Sequence, residues 1–443
     1  MSSRDSKFPR IATSRRDLLK VFGAGTALAA TAGCTGTPFI SRGSAGRVVV
    51  VGGGFGGATA AKYLKRGNPA LEVTLVEPNT TFYTCPFSNL HLAGERAMSG
   101  IAHNYEELKQ VYGVRVIHTR AEDVDPVAKT VKLGNGNTLN YDKLVLSPGI
   151  DIRWDALEGY DQAAAEQAPH AWQAGEQTRL LRRQLEAMED GGTFILSAPA
   201  NPFRCPPGPY ERASLIAHYL GKHKPRSKVL ILDAKDNFSK QGLFMQGWRE
   251  NHGDRIEWVG LSGDGKVARV DAAKREVVTE FGTVHKAAVL NVVPPQKAGL
   301  IAHRAGVTDA SGWVPVNPQT FESRQVKDIY VVGDATVAAP MPKSGFAANA
   351  QGKVAAAAIV AELDGRNLPN PYWANTCYSL ITPDYGISVA AVYKLNEEGQ
   401  IYAVPGSDGV SALDAPLVTR RLEAEYAVGW YNAISQDTWG TLL

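Results

Sequence analysis

Cysteines stand at positions 34, 85, 205 and 377 of this 443-residue chain. A thiol can be a small buried apolar group, half of a staple, a nucleophile or a redox centre, and its surroundings decide which. No two of the four have C-x-x-C or C-x-x-x-x-C spacing, so neither of the usual redox dithiol motifs is present. The nine histidines have no ligand spacing with the cysteines, and no metal site is expected. A second group of residues points to a nucleotide. Gly52, Gly54 and Gly57 fit G-x-G-x-x-G, and Glu77 follows 25 residues after Gly52. In such a loop the first glycine makes a tight turn, the second admits a pyrophosphate and the third lets helix and strand pack closely. The helix N-terminus then offers free N–H groups to the anion, and the carboxylate can accept ribose hydroxyls.

That loop works only between a strand and a helix. Residues 47–51 are mostly β-branched, 58–66 read as an Ala-rich helix, and 71–76 as a second strand ending at Glu77, which together make a βαβ unit. Residues 141–149 read as a buried strand ending in Ser147-Pro148-Gly149. Another strand, 329–334, ends in Gly333-Asp334 ahead of a helix over 347–363. The Asp334 carboxylate can meet a ribityl hydroxyl or cap that helix. A helix near 173–189 leads to a second βαβ unit, with strands at 192–196 and 228–233 and a helix at 210–223 between them. Its turn, 197–211, has no G-x-G-x-x-G, and its prolines lack the N–H donors a pyrophosphate needs, so no nicotinamide cofactor is expected. The tail from about 371 reads as a small third domain. Within it, 420–431 is expected to pack on the protein itself rather than on a membrane.

The first 44 residues differ. Ser14-Arg15-Arg16-Asp17-Leu18-Leu19-Lys20 precedes an apolar stretch over 21–32, too short for the roughly 20 residues of a span. This resembles a twin-arginine export signal; the alternative is a chance Arg-Arg in a basic leader. Ala32-Gly33-Cys34 hints at a lipoprotein cut site, with Thr31 where leucine is usual. Residues 1–44 hold seven Lys/Arg and two acids, leaving 40 basic and 42 acidic residues in the remainder, so the formal +3 belongs to the leader. No nucleic-acid binding follows from it, and no integral membrane anchor is expected. The expected address is the periplasm, reached already folded. Three cysteines then remain, an odd number where disulfides are favoured.

With its glycine loop, Glu77 and Gly333-Asp334, the chain resembles the glutathione-reductase-like flavoproteins, in which such residues contact FAD. Ser147-Pro148-Gly149 departs from that superfamily's usual turn. The likeness sharpens over 48–57, Tyr83-Thr84-Cys85-Pro86, 202–212, Pro340-Met341-Pro342-Lys343-Ser344-Gly345 and Asn375-Thr376-Cys377-Tyr378-Ser379. These segments resemble the flavoprotein subunit of flavocytochrome c sulfide dehydrogenase. The resemblance implies an α/β fold with two Rossmann-like domains, one for FAD and one degenerate and NAD-like, plus a small C-terminal α+β domain. The divisions are 45–160 and 291–370 for the FAD domain, 161–290 for the NAD-like domain and 371–443 for the tail. It also implies that Cys85, otherwise a buried thiol, carries the FAD covalently. Cys205 and Cys377, otherwise a structural staple, would form a redox-active disulfide.

Glu211 is either a helix-start acid that favours the dipole or a general base. Lys343 either stabilises an anionic flavin or is solvated. The implied reaction is hydrosulfide attack on the disulfide, with electrons passing through FAD to a c-type cytochrome subunit. No C-x-x-C-H occurs here, so that haem belongs to the partner. The rivals are a sulfide:quinone oxidoreductase-like enzyme and a non-catalytic FAD-binding electron relay.

Overall fold

The computed structural model describes residues 45–441; the expected export signal and Cys34 lie outside the described residues. Strand β1 (Arg47–Val51) leads into helix α1 (Phe55–Gly67) and strand β2 (Glu72–Val76). Strands β3 (Arg115–Ile117) and β4 (Lys143–Leu146) follow, joined by a three-stranded antiparallel sheet over 121–140. β1 lies in the middle, parallel to β2 on one side and to β4 on the other. Val48, Val49, Val50 and Val51 are all buried, the continuous apolar run expected of a parallel strand covered on both faces.

Helix α2 (Glu176–Ala187) opens the second half. Strand β5 (Thr193–Ala198), helix α3 (Gly208–His223), strand β6 (Lys228–Asp233), helix α4 (Gln241–His252), strand β7 (Ile256–Val259) and strand β8 (Val289–Val292) complete it. Its four strands are parallel in the order β7-β6-β5-β8. Strand β9 (Ile329–Val331) then returns to the first sheet beside β4, giving β9-β4-β1-β2-β3, and helix α5 (Gly345–Leu363) packs against α1. The tail is antiparallel: β10 (Tyr372–Thr382), β11 (Tyr385–Leu395), β12 (Ile401–Ala403) and β13 (Gly409–Val410), then the long helix α6 (Leu417–Trp439). The fold is mixed α/β, with two Rossmann-like sheets and a C-terminal α+β part.

The last turn of α6 comes back to the first helix. Lys62, fully buried, donates from Nζ to the carbonyls of Gln436, Asp437 and Gly440, and Trp439 Nε1 donates to the Gly53 carbonyl at 3.1 Å. These acceptors include carbonyls that a helix C-terminus leaves unpaired, so the lysine acts as a cap from outside. The inner face of α6 buries Ala424, Ala427, Tyr431 and Ile434, while Leu417, Val418, Leu422 and Tyr426 remain exposed.

Candidate flavin and sulfur site

The glycine loop has the shape that its chemistry requires. Gly52 has φ +99°, and a Cβ there would sit 2.2 Å from the Ser147 carbonyl oxygen; a Cβ on Gly57 would sit 1.9 Å from the Gly52 carbonyl. Helix α1 begins at Phe55, three residues before the expected Ala58, with Gly54 as N-cap. Glycines are poor helix formers, but here the close approach of helix to strand decides. Glu77 Oε2 accepts from the Gly53 N–H at 2.9 Å, and Oε1 accepts from Asn79 N and Nδ2. Oε2 keeps a second lone pair for a ribose hydroxyl.

Asp334 follows β9 and is not the cap of α5. Ser344 is that cap, its Oγ accepting from Ala347 N at 3.1 Å. Asp334 Oδ1 is buried without a hydrogen-bond partner, and burial pushes the carboxyl above its ordinary range against the pull of Arg204 and Lys343. The solvated alternative for Lys343 also falls. Its Nζ donates to the Asp334 and Thr336 carbonyls at 2.8 and 2.7 Å and lies 3.8 Å from the Trp313 ring centre. Burial lowers its pKa to about 8, against the opposing pull of Asp334. Gly333, Asp334 and Lys343 line one cavity of about 180 Å³.

A larger cavity, about 680 Å³, lies where α3, β10 and α6 meet the segment after residue 84, and Cys85, Cys205, Cys377 and Glu211 all line it. Cys85 is held by its neighbour: Thr84 Oγ1 bonds the Pro86 carbonyl and the Tyr431 hydroxyl, both at 2.9 Å. Cys205 has φ +57° and donates its N–H to the Lys343 carbonyl at 2.8 Å, tying the sulfur loop to the Asp334 side. Phe87 (φ +67°), which lines the same cavity, and Lys240 (φ +61°), bonded to the Cys377 carbonyl, are also left-handed. Such backbone costs about 1–3 kcal/mol per residue and collects at functional sites.

Cys205, Cys377 and Cys85 are free thiols in this structure; the bond expected between the first two is not formed, and the structure instead brings both to one cavity. A disulfide that exchanges has a dithiol as its other form. The two thiols are reachable from the cavity yet deep in protein, and burial raises both. Cys205 is raised further by Cys377, Glu211 and Cys85.

Glu211, on the first turn of α3, points into the cavity wall. Its Oε2 accepts from Asn89 Nδ2 at 2.8 Å and Oε1 from the Leu380 N–H at 3.1 Å. Burial nonetheless dominates and raises its pKa. Asn89 is oriented in turn by Arg212, whose Nε donates to Asn89 Oδ1 at 3.1 Å. The rest of that guanidinium is satisfied by Asn291 and the His170 and Ala171 carbonyls. Asn89, Arg212, Trp172, Trp430 and Lys240 were not anticipated from sequence; none stands in a recognisable spacing.

Gly208 fixes how closely α3 approaches the sulfur. A Cβ there would lie 3.0 Å from Cys205 Sγ and 2.8 Å from the Trp172 ring. Gly208→Ala is expected to destabilise the protein by about 1–3 kcal/mol through overpacking, read as a lower urea midpoint at unchanged m-value.

In the second half, Asp233 ends β6 as Glu77 ends β2. Its carboxylate is engaged by Tyr210 (2.6 Å), Trp258 (3.0 Å) and Lys235. The turn after β5 brings Cys205, not a glycine-rich cradle, to the head of α3.

Three family models match: pyridine nucleotide-disulphide oxidoreductase over 46–187, sulfide dehydrogenase (flavocytochrome c) flavoprotein chain, central, over 178–294, and flavocytochrome c sulphide dehydrogenase, flavin-binding, over 369–439. The flavoprotein chain of sulfide dehydrogenase (flavocytochrome c) from Chlorobaculum thiosulfatiphilum is 72% identical over 43 residues, 10% of this chain and 90% of that relative's sequence. The chain belongs to this flavoprotein family.

The flavoprotein is also similar to the mitochondrial sulfide:quinone oxidoreductase of Mus musculus, 24% identical over 313 residues, covering 69% of this chain and 68% of the relative. Among solved structures, the sulfide:quinone oxidoreductase of Aquifex aeolicus shares the fold with a TM-score of 0.65 at 20% identity, over 89% of this chain and 92% of that one. The flavoprotein's residues fit FAD: a glycine cradle that a Cβ would fill, the Glu77 carboxylate bonded to that cradle through the Gly53 N–H, and the buried, unpartnered Asp334 oxygen. Among the described residues, no group of three or more His, Cys, Asp or Glu is placed to hold a metal ion.

Proposed function

We propose that this flavoprotein oxidises hydrosulfide at a Cys205–Cys377 disulfide and passes the electrons through covalently held FAD to a c-type cytochrome partner. Its membership of a sulfide dehydrogenase flavoprotein family makes it a FAD-dependent, sulfide-oxidising oxidoreductase. The observation that carries the finer reading is the meeting, in one cavity, of three cysteines drawn from three remote parts of the chain, with Glu211 beside them. Gly52, Gly54, Gly57 and Glu77 hold the dinucleotide, Gly333, Asp334 and Lys343 face its middle, and Cys85 anchors the flavin. Bound FAD supplies the conversion of a two-electron input into one-electron outputs. The protein's own part is the sulfur exchange: hydrosulfide bonds to one cysteine as a persulfide, and the other leaves as thiolate. Glu211, its pKa raised by burial, is the carboxylate placed to take a proton in this cavity. The address, periplasm by the twin-arginine route, rests on residues 14–32.

The exposed row Leu417, Val418, Leu422 and Tyr426 on α6 favours a second reading, a quinone-reducing enzyme lying on a membrane. Among the described residues, no helix is long and apolar enough to cross a membrane. Flotation with liposomes and direct assay with cytochrome c against a soluble quinone separate the two.

The test of the main reading uses the purified FAD-loaded protein. Anaerobic sulfide should bleach the flavin in a stopped-flow cell. Acid denaturation should leave a flavin attached to a peptide containing Cys85. A flavin that sulfide cannot reduce overturns the enzymatic reading, whereas a flavin released intact by acid overturns the covalent link alone.

A further inference from the structure

One buried cation, bonded to the backbone of Cys377, has so far been given no work. Lys240 is 8% exposed, begins α4 in a left-handed conformation and, among the described residues, makes no ion pair. Its Nζ donates to Ser379 Oγ at 2.9 Å and to the Cys377 carbonyl at 3.2 Å. Cys377 and Ser379 are two apart on strand β10, so their side chains leave the same face of the sheet. The ammonium bound to the serine hydroxyl therefore sits on the side of the sheet where the Cys377 sulfur lies. A lysine buried with only neutral acceptors is costly unless a negative charge forms nearby.

We propose that Lys240 is a positioning residue that holds the Cys377 sulfur as an anion and so gives the cysteine pair its direction: Cys205 receives the incoming sulfur and Cys377 leaves. The step rests on the sulfide-oxidising reading above, with the disulfide as oxidant. Hydrosulfide forms a new S–S bond to Cys205, the Cys205–Cys377 bond breaks, and its electron pair goes to the Cys377 sulfur. The sulfide sulfur is oxidised, the disulfide is reduced, and the single negative charge moves from hydrosulfide to Cys377.

The charged surroundings of the two sulfurs differ in the required sense. Cys377 faces Lys240 from the head of α4, which favours its thiolate, and Glu211 from α3, which opposes it. Cys205 faces Cys377, Glu211 and Cys85, all opposing, with Arg204, Arg212 and, less than at Cys377, Lys240 in favour, and of the two thiols it is the more strongly raised. Lys240 in turn feels Cys377, Glu211, Cys205 and, from α6, Glu423. Cys377 is thus the better leaving sulfur, and exchange proceeds faster with the better leaving thiolate.

The test is residue-resolved alkylation of the FAD-loaded protein, reduced by a phosphine under anaerobic conditions and pulsed with iodoacetamide across a pH series. Peptide masses report Cys205 and Cys377 separately. Lys240→Met is expected to slow labelling of Cys377 at neutral pH at least tenfold and to move its profile to higher pH, with a smaller change at Cys205. Lys240→Arg should restore the Cys377 profile, which a merely structural role would not require. Should Lys240→Met not fold, Ser379→Ala frees the ammonium at the cost of one oxygen and should shift the Cys377 profile in the same direction by less. An unchanged Cys377 profile in the folded variant, or a larger loss at Cys205, overturns the assignment. Failure of the disulfide reading has a different signature, because both cysteines would then label before any phosphine is added.

Discussion

Cys377→Ser is expected to leave FAD bound and to abolish bleaching of the flavin by sulfide. The hydroxyl is nearly the shape of the thiol, and β10 pairs with β11 through its backbone, so the strand and its cavity wall remain. What is lost is the second sulfur, without which no exchange can begin. A photochemical or dithionite reductant, which needs no sulfur, should still reduce the flavin in this variant. The flavin spectrum before and after anaerobic sulfide is the measurement, and full turnover in the serine variant would remove the disulfide from the mechanism. Cys205→Ser should fail in the same assay, because the two sulfurs act as one unit and their losses do not add.

Glu211→Gln is the second large effect, expected to slow sulfide-dependent reduction by about 10² or more at neutral pH. The carboxyl must be ionised to take a proton, and burial has moved its pKa upward. The wild-type rate should therefore rise with pH through a limb displaced above the ordinary carboxylate range, flattening once Glu211 is fully ionised. The glutamine variant should lack that limb. Sulfide itself ionises with pH, so the difference between the two profiles carries the information. The amide can accept from only one of the Asn89 and Leu380 donors, and Asn89 cannot turn because Arg212 holds its oxygen. A cost of about 1 kcal/mol in stability is expected from that mismatch, small enough that a folded variant can be compared directly.

The nucleotide half was legible because its chemistry is local. Gly52, Gly54, Gly57 and Glu77 lie within one βαβ unit, and steric exclusion by the Gly52 and Ser147 carbonyls explains why glycine stands at 52 and 57. Asp334 stands out in the sequence as a candidate site residue, but its second role as a cap is not real: the helix is capped ten residues later, by a serine whose hydroxyl reaches the Ala347 N–H. The sulfur cavity was read through the likeness of short segments around each cysteine. Its walls were not, because they depend on tertiary contacts between residues that carry no spacing signal. Asn89 is an ordinary helix residue until Arg212, 123 positions away, fixes its amide. Lys240 looks like any surface lysine until β10 arrives beside it.

The return of α6 to α1 has a consequence for biogenesis. Residues 436–440 are made long after Gly53 and Lys62, yet they close over them. Domains commonly fold from the N-terminus as synthesis proceeds. This nucleotide cradle cannot be finished that way: β9 and α5 arrive late, and the latch on the glycine loop arrives later still. A nascent chain still short of residue 436 holds an open cradle, and premature termination anywhere before that residue leaves it unlatched, so closure itself reports that synthesis has passed α6.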